Sequence, residues 1–172
     1  ARLAAERAAG RTIALVPTMG ALHDGHLSLI ERAAREADVV VVSVFVNPAQ
    51  FNDAADLDAY PRDLARDAGL AAAAGARLLF APEPDELYPP GFCTQVRVEG
   101  PLTATLEGAH RGAAHFHAVT TIVTKLLAIC TPDVAVFGAK DAQQARVISR
   151  LVTDLDLPVR LVLGATVRAP DG

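Results

Sequence analysis

Two histidines three residues apart, His23 and His26, stand in the run Pro17-Thr18-Met19-Gly20-Ala21-Leu22-His23-Asp24-Gly25-His26. An apolar stretch from Thr12 to Val16 precedes this run and a helical pattern follows it, so both rings fall at a strand-to-helix junction. The first N–H groups of a helix are unpaired and its dipole is positive there, which favours a phosphate. The i, i+3 spacing lets both imidazoles face one ligand, and Gly25 lets the backbone come close. A protonated imidazole in that place neutralises charge developing on a transferring phosphorus and its leaving oxygen. The plainer alternative is a capping histidine beside a solvated one. A zinc pair is a further alternative, but no Cys or carboxylate stands at a spacing that completes the ligand set.

Three other clusters carry polar chemistry. Phe137-Gly138-Ala139-Lys140-Asp141-Ala142-Gln143-Gln144 falls at the end of a late strand and the start of a helix. Lys140 by itself reads as a solvated surface residue, but paired with the histidine loop it reads as a mobile point charge for phosphates, and Asp141 either caps the helix or orders a nucleotide. Val46-Asn47-Pro48-Ala49-Gln50-Phe51 follows the second strand; from the residues alone it reads first as a plain turn with an exposed Gln50, whose donor and acceptor would also suit a small hydroxy acid. His110-Arg111-Gly112-Ala113-Ala114-His115-Phe116-His117 is basic and aromatic. It reads equally as the lining of an anionic pocket and as a solvated loop.

These residues need a frame. Thr12–Val16, Val39–Val46, Arg77–Ala81, Asp133–Phe137 and Val159–Val167 read as strands. Helical patterns start at His26 and cover Asp58–Ala74, with Pro61 in its first turn, then His117–Ile129 and Ala142–Asp154. The proline-rich stretch from Pro82 to Gly112 reads as loops with one short strand at Thr94–Val98. Alternating strands and helices predict a Rossmann-like, doubly wound parallel sheet with helices on both faces, an α/β fold. Such a sheet binds ligands at the carboxyl ends of its strands, so the His23 and Lys140 loops are expected on one rim.

Composition narrows the function. The chain is 51% hydrophobic and 21% charged, enough apolar material for one sizeable core. Sixteen Lys and Arg against 20 Asp and Glu give a net charge of −4, with no basic surplus for nucleic acid. No apolar run reaches the roughly 18 residues of a membrane span. Two distant cysteines, Cys93 and Cys130, argue against a disulfide scaffold and for a reducing cytosol. The first residues lack a signal-peptide core. The absent initiator Met and the ending Arg168–Gly172 read as cut points.

In this order and spacing the residues resemble the pantothenate synthetases, of the H-x-G-H nucleotidyltransferase superfamily. The carrying motifs are V-P-T-M-G-A-L-H-D-G-H at Val16–His26, F-V-N-P-A-Q-F at Phe45–Phe51 and D-L-D-A-Y-P-R at Asp56–Arg62. They continue with H-F at His115–Phe116, P-D-V-A-V-F-G-A-K-D-A-Q-Q at Pro132–Gln144 and T-V-R-x-x-D-G at Thr166–Gly172. The resemblance implies that ATP and pantoate form a pantoyl-adenylate, which β-alanine converts to pantothenate and AMP. It places ATP on Met19, Gly20, His23, Gly25, His26, Gly138, Lys140, Asp141 and Val167, with His26 as proton donor and His23 and Lys140 beside it in the catalytic set. It places pantoate and β-alanine on Gln50, Gln144, Pro17, Thr18 and Arg111, and makes Asp67 the carboxylate for Mg2+. A cytoplasmic homodimer is implied, with residues 1–172 as the nucleotide-binding domain. Ala139 stands where the family usually has Glu, Ala118 replaces a glycine, and Arg111 lies one place further from His115. The family's S-S-R-N segment and smaller C-terminal domain do not fall within these residues, which puts full turnover in doubt. Two rivals remain: another H-x-G-H adenylyl- or cytidylyltransferase, and a non-catalytic nucleotide-binding fragment.

Overall fold

The structure is a computed structural model that describes residues 2–106, 109–110, 112–168 and 171, without the side chain of residue 113. In chain order the elements are α1 (Arg2–Ala8), β1 (Ile13–Thr18), α2 (Asp24–Ala34), β2 (Val39–Val44), a 3-10 turn (Pro48–Gln50), α3 (Ala54–Ala59), α4 (Leu64–Ala73) and β3 (Leu78–Phe80). Then come α5 (Pro84–Leu87), α6 (Pro101–Ala104), α7 (Ala113–Cys130), β4 (Val134–Gly138), α8 (Ala142–Asp154) and β5 (Arg160–Gly164).

The strands form one all-parallel sheet in the order β3-β2-β1-β4-β5. Successive side chains of a strand point to opposite faces, and here both faces are covered. Ile13, Leu15, Val39, Val41, Ala135 and Phe137 pack under α7 and α8, against Phe116, Val119, Ile122, Val123, Ile148 and Leu151. Ala14, Val16, Val40, Val42, Val134 and Val136 pack under α2 and α4, against Leu29, Ile30, Ala33 and Ala71. The unbroken apolar runs seen in the sequence are therefore runs buried on two sides. The expected doubly wound α/β fold is the one observed.

The strand order reverses between β1 and β4, and the ladder there is short. β1 pairs with β2 over six residues but with β4 only at Ala14 and Leu15. Thr12 and Thr18 turn their carbonyls to the β2 side, accepting from Val39 and Phe45, whereas Ile13 accepts from Asp133 on the β4 side. By alternation Pro17 also faces β4, where its missing N–H leaves no donor to continue pairing. The two strands part at their carboxyl ends, and the crevice so formed is where this sheet type takes ligands.

Several elements differ from expectation: α5 and α6 are short helices in the stretch read as loops, α7 begins at Ala113 ahead of His117, and β5 ends at Gly164. The helix expected over Asp58–Ala74 is two helices. Tyr60, which precedes Pro61, is extended (φ −64°, ψ 128°), as a pre-proline residue prefers, and α4 restarts after Asp63, whose carboxylate accepts from the Arg66 N–H. The strand expected at Thr94–Val98 is a loop. Val96 donates to the Thr121 hydroxyl and accepts from that of Thr120, so side chains of α7 replace a sheet partner.

Candidate active site

The β1–α2 junction is held by His23 itself. Its Nδ1 accepts the Gly25 N–H at 3.1 Å, making it the N-cap of α2. That bond requires an unprotonated Nδ1, so the neutral ring carries its proton on Nε2. A Cβ on Gly25 would lie 2.8 Å from His23 Cε1, so only glycine lets the ring fold back. His26 follows one turn later with its ring centroid 4.1 Å from that of His23. Its Nδ1 is buried and has no hydrogen-bond partner among the described residues. Burial first, then neighbouring His23, pull the His26 imidazole down from 6.5 to about 4; Lys140 acts in the same sense, while Asp67 and Asp141 oppose it. In the free protein His26 is therefore neutral near pH 7.

Across the crevice, β4 ends at Gly138 and leads into Lys140 and Asp141. Asp141 is the residue preceding α8, but its side chain makes no capping bond and lines the cleft instead. One cleft of about 270 Å3 gathers Pro17, Thr18, Met19, His23, Gly25, His26, Gln50, Gly138, Lys140, Asp141, Gln144 and Val167. Thr18 is there by position only, because its hydroxyl donates to the Ser43 carbonyl and accepts from the Gly20 N–H.

The 3-10 turn fixes Gln50. Asn47 is buried; its Nδ2 donates to Gln50 Oε1 at 2.8 Å, which leaves the Gln50 NH2 as the group free to meet a ligand acceptor. His115 is buried beside the turn, with Nδ1 3.3 Å from the Gln50 carbonyl. The two glutamines at the start of α8 divide their work. Gln144 lines the cleft, whereas Gln143 donates to the carbonyls of Leu102 and Thr105 and ties down α6.

The residues match the family described as Pantoate-beta-alanine ligase over positions 1–172. The chain belongs to the pantoate–β-alanine ligase family. A pantothenate synthetase of Cereibacter sphaeroides ATCC 17023 is 53% identical over 172 residues, covering 100% of this chain and 61% of that protein. A Thermus thermophilus pantothenate synthetase is 55% identical over 160 residues, 93% of this chain and 58% of that protein. A crystal structure of pantothenate synthetase from Thermus thermophilus superimposes with a TM-score of 0.91 at 53% identity, covering 99% of this chain and 62% of that one. The ligase from Francisella tularensis, complexed with β,γ-ATP and β-alanine, gives 0.89 at 40% identity, covering 94% and 61%. This ligase-family chain thus spans about three fifths of the relatives it matches.

Two family-derived expectations, Gly20 and Asp67, fall outside the cleft. Arg111 lies outside the described residues. Gly20 lines a separate cavity of about 310 Å3 on the far side of Met19, toward α3 and α4. Asp67 lines that second cavity too, and both its oxygens accept backbone N–H groups of the loop, from Ala21 and Leu22. One acceptor position on each oxygen is thus directed at the loop. Among the described residues no cluster of three or more His, Cys, Asp or Glu is placed to hold a metal ion. The first cavity is the one that gathers both histidines, Lys140, Gln50 and Gln144.

Sequence reasoning missed the cleft's apolar wall: Val119, Ile122, Val123 and Leu126 from α7, with Tyr60 beyond α3. Their i, i+3, i+4, i+7 spacing signals a buried helix face, but nothing in that pattern separates core from cleft.

Proposed function

We propose that this chain carries the adenylate-forming site of a pantoate–β-alanine ligase. The observation that carries the reading is the meeting of His23, His26, Lys140, Gln50 and Gln144 in one crevice at the β1/β4 switch point. The phosphates of ATP lie along the β1–α2 junction, with Lys140 as their mobile countercharge and Asp141 and Val167 toward the nucleoside. Gln50 and Gln144 hold pantoate, the NH2 of Gln50 donating to its carboxylate or hydroxyl. The apolar wall of α7 receives the methyl groups of pantoate and excludes water from the reacting carboxylate.

The pantoate carboxylate attacks the α-phosphorus, the bond to the bridging oxygen breaks, and pyrophosphate leaves. His26 takes up a proton as phosphate charge enters the cleft and donates toward the departing oxygen. His23 presents its Nε2–H to the same charge. The amine of β-alanine then attacks the acyl carbon, and AMP leaves with the electron pair of the acyl–oxygen bond.

Mg2+ fits this site as a companion of the ATP phosphates. Among the described residues no three-ligand cluster is present, and Mg2+ is commonly bound through one or two carboxylates together with substrate phosphates and water. Its contribution is to neutralise phosphate charge. The β,γ-ATP and β-alanine complex of the Francisella tularensis relative supports ATP and β-alanine as substrates. A cytoplasmic homodimer is the assembly we infer by kinship. No described helix is long and apolar enough to cross a membrane.

A coupled AMP-release assay with pantoate, β-alanine and Mg-ATP, run on this chain and on the full-length protein, tests the reading. AMP formation that requires both pantoate and β-alanine supports it. A dinucleotide-like product without AMP identifies a different nucleotidyltransferase, and nucleotide binding without turnover in either length identifies a non-catalytic module.

A further inference from the structure

The loop that delivers the two histidines passes twice through the left-handed region, with φ +84° at Gly20 and +51° at Ala21. The Cβ of Ala21 disfavours that conformation, so contacts from elsewhere must hold it. Turns of this kind aim successive N–H groups into one concavity suited to an anion. The anion present is a side chain. Asp67, in the first turn of α4, accepts the Ala21 N–H on Oδ2 and the Leu22 N–H on Oδ1, each at 2.8 Å. The residue is 1% exposed. Arg66 lies 3.5 Å from Oδ1 and is largely solvated, a minor partner beside two short amide bonds. The amino end of α4 adds its own favourable field. The fit is close: a Cβ on Gly20 would stand 2.9 Å from Asp67 Oδ2 and 3.0 Å from Val44 Cγ1, so glycine is what lets the loop settle on α4.

We propose that Asp67 is a positioning residue, whose buried carboxylate clamps the Ala21 and Leu22 amides and so fixes where His23 and His26 stand. The assignment rests on the reading of the cleft given above, and it adds a constraint to that reading. The two loop amides are already occupied, so the ATP phosphates are met from the His23, His26 and Lys140 side. The charged groups felt at His26 are His23, Asp67, Lys140 and Asp141, and Asp67 favours its protonated form.

The test uses the full-length protein and two variants. Asp67→Asn keeps the shape but sets an NH2 against a backbone N–H. Asp67→Glu keeps the charge on a longer arm. With the fold verified by circular dichroism, Asp67→Asn is expected to lose amide-exchange protection at Ala21 and Leu22 and to lower the pH at which the His26 ring titrates. Single-turnover adenylate formation is expected to fall on the order of 10²-fold, as for a catalytic group displaced by about an ångström. The Mg2+ concentration for half-maximal rate should not move, and Asp67→Glu should not restore the rate. A wild-type rate with retained protection in Asp67→Asn overturns the proposal, as does a rate recovered by raising Mg2+. If Asp67→Asn does not fold, the unsubstituted protein decides: Ala21 and Leu22 amides exchanging at free-loop rates overturn the clamp, and protected ones support it. Exchange and ring titration are read without substrate. Absence of AMP release from the unsubstituted protein therefore counts against the functional reading alone.

Discussion

Acid should expose the cost of burying a neutral histidine. His26 titrates at about 4 in place of 6.5 because burial and His23 oppose its charge. At ~1.4 kcal/mol per pH unit, that gap sets a ceiling of roughly 3 kcal/mol. The cleft is open to water, and screening reduces the expected contribution to about 1–2 kcal/mol. The sign follows from proton binding: between pH 6.5 and 4 the unfolded chain takes up a proton that the folded chain refuses, so the folded state loses ground. Urea unfolding of the unsubstituted protein and of His26→Gln, repeated in steps from pH 7.5 to about 4, should show the wild type falling relative to the variant below pH 6.5. Above pH 7 the difference between the two should be constant. A ring resonance followed by NMR should stay in its neutral position across physiological pH. If that resonance instead titrates at or above 6.5 in the free protein, the burial argument is wrong.

Other perturbations follow from individual contacts. ATP binding should draw a proton onto His26, visible as a binding enthalpy that changes with the ionisation enthalpy of the buffer; no buffer dependence near pH 6 would contradict this. Gln50→Ala removes the oriented NH2 and should raise the pantoate KM about 10-fold or more with ATP affinity nearly intact; titration calorimetry with each substrate separates the two. Gly164→Ala would place a Cβ 2.2 Å from Leu29 Cδ2, and the overpacking should cost about 1–3 kcal/mol in unfolding experiments. Arg7 donates to the Cys130 and Thr131 carbonyls at the end of α7, so Arg7→Ala should lose about 1–2 kcal/mol and release α1 from protection in amide exchange.

The layer order was legible because buried parallel strands leave continuous β-branched runs, and Val39–Val44 is nearly all valine. The two histidines were legible because their spacing, the glycine between them and the preceding strand all point to one helix start. Asp67 was not. In sequence it is one acid among several on an exposed-looking helix, and only the fold brings it under a loop forty-five residues earlier, at Leu22. The state of His26 was also hidden, since burial in an open cleft depends on α7 and β4 closing around it. The division of labour between Gln143 and Gln144 depends on the rotation of α8 relative to α6, which adjacent identical residues do not encode.

The parting of β1 and β4 begins at a proline in a central strand. The crevice is thus kept open by a donor that the backbone lacks, with no bulky side chain acting as a wedge. An opening made this way takes up no room. No rim side chain is spent on holding the strands apart, and the floor at Ala14 and Leu15 stays zipped. It also follows that substitutions around the rim reshape the site without closing it, whereas giving position 17 an N–H would let the ladder run on into the space that the phosphates need.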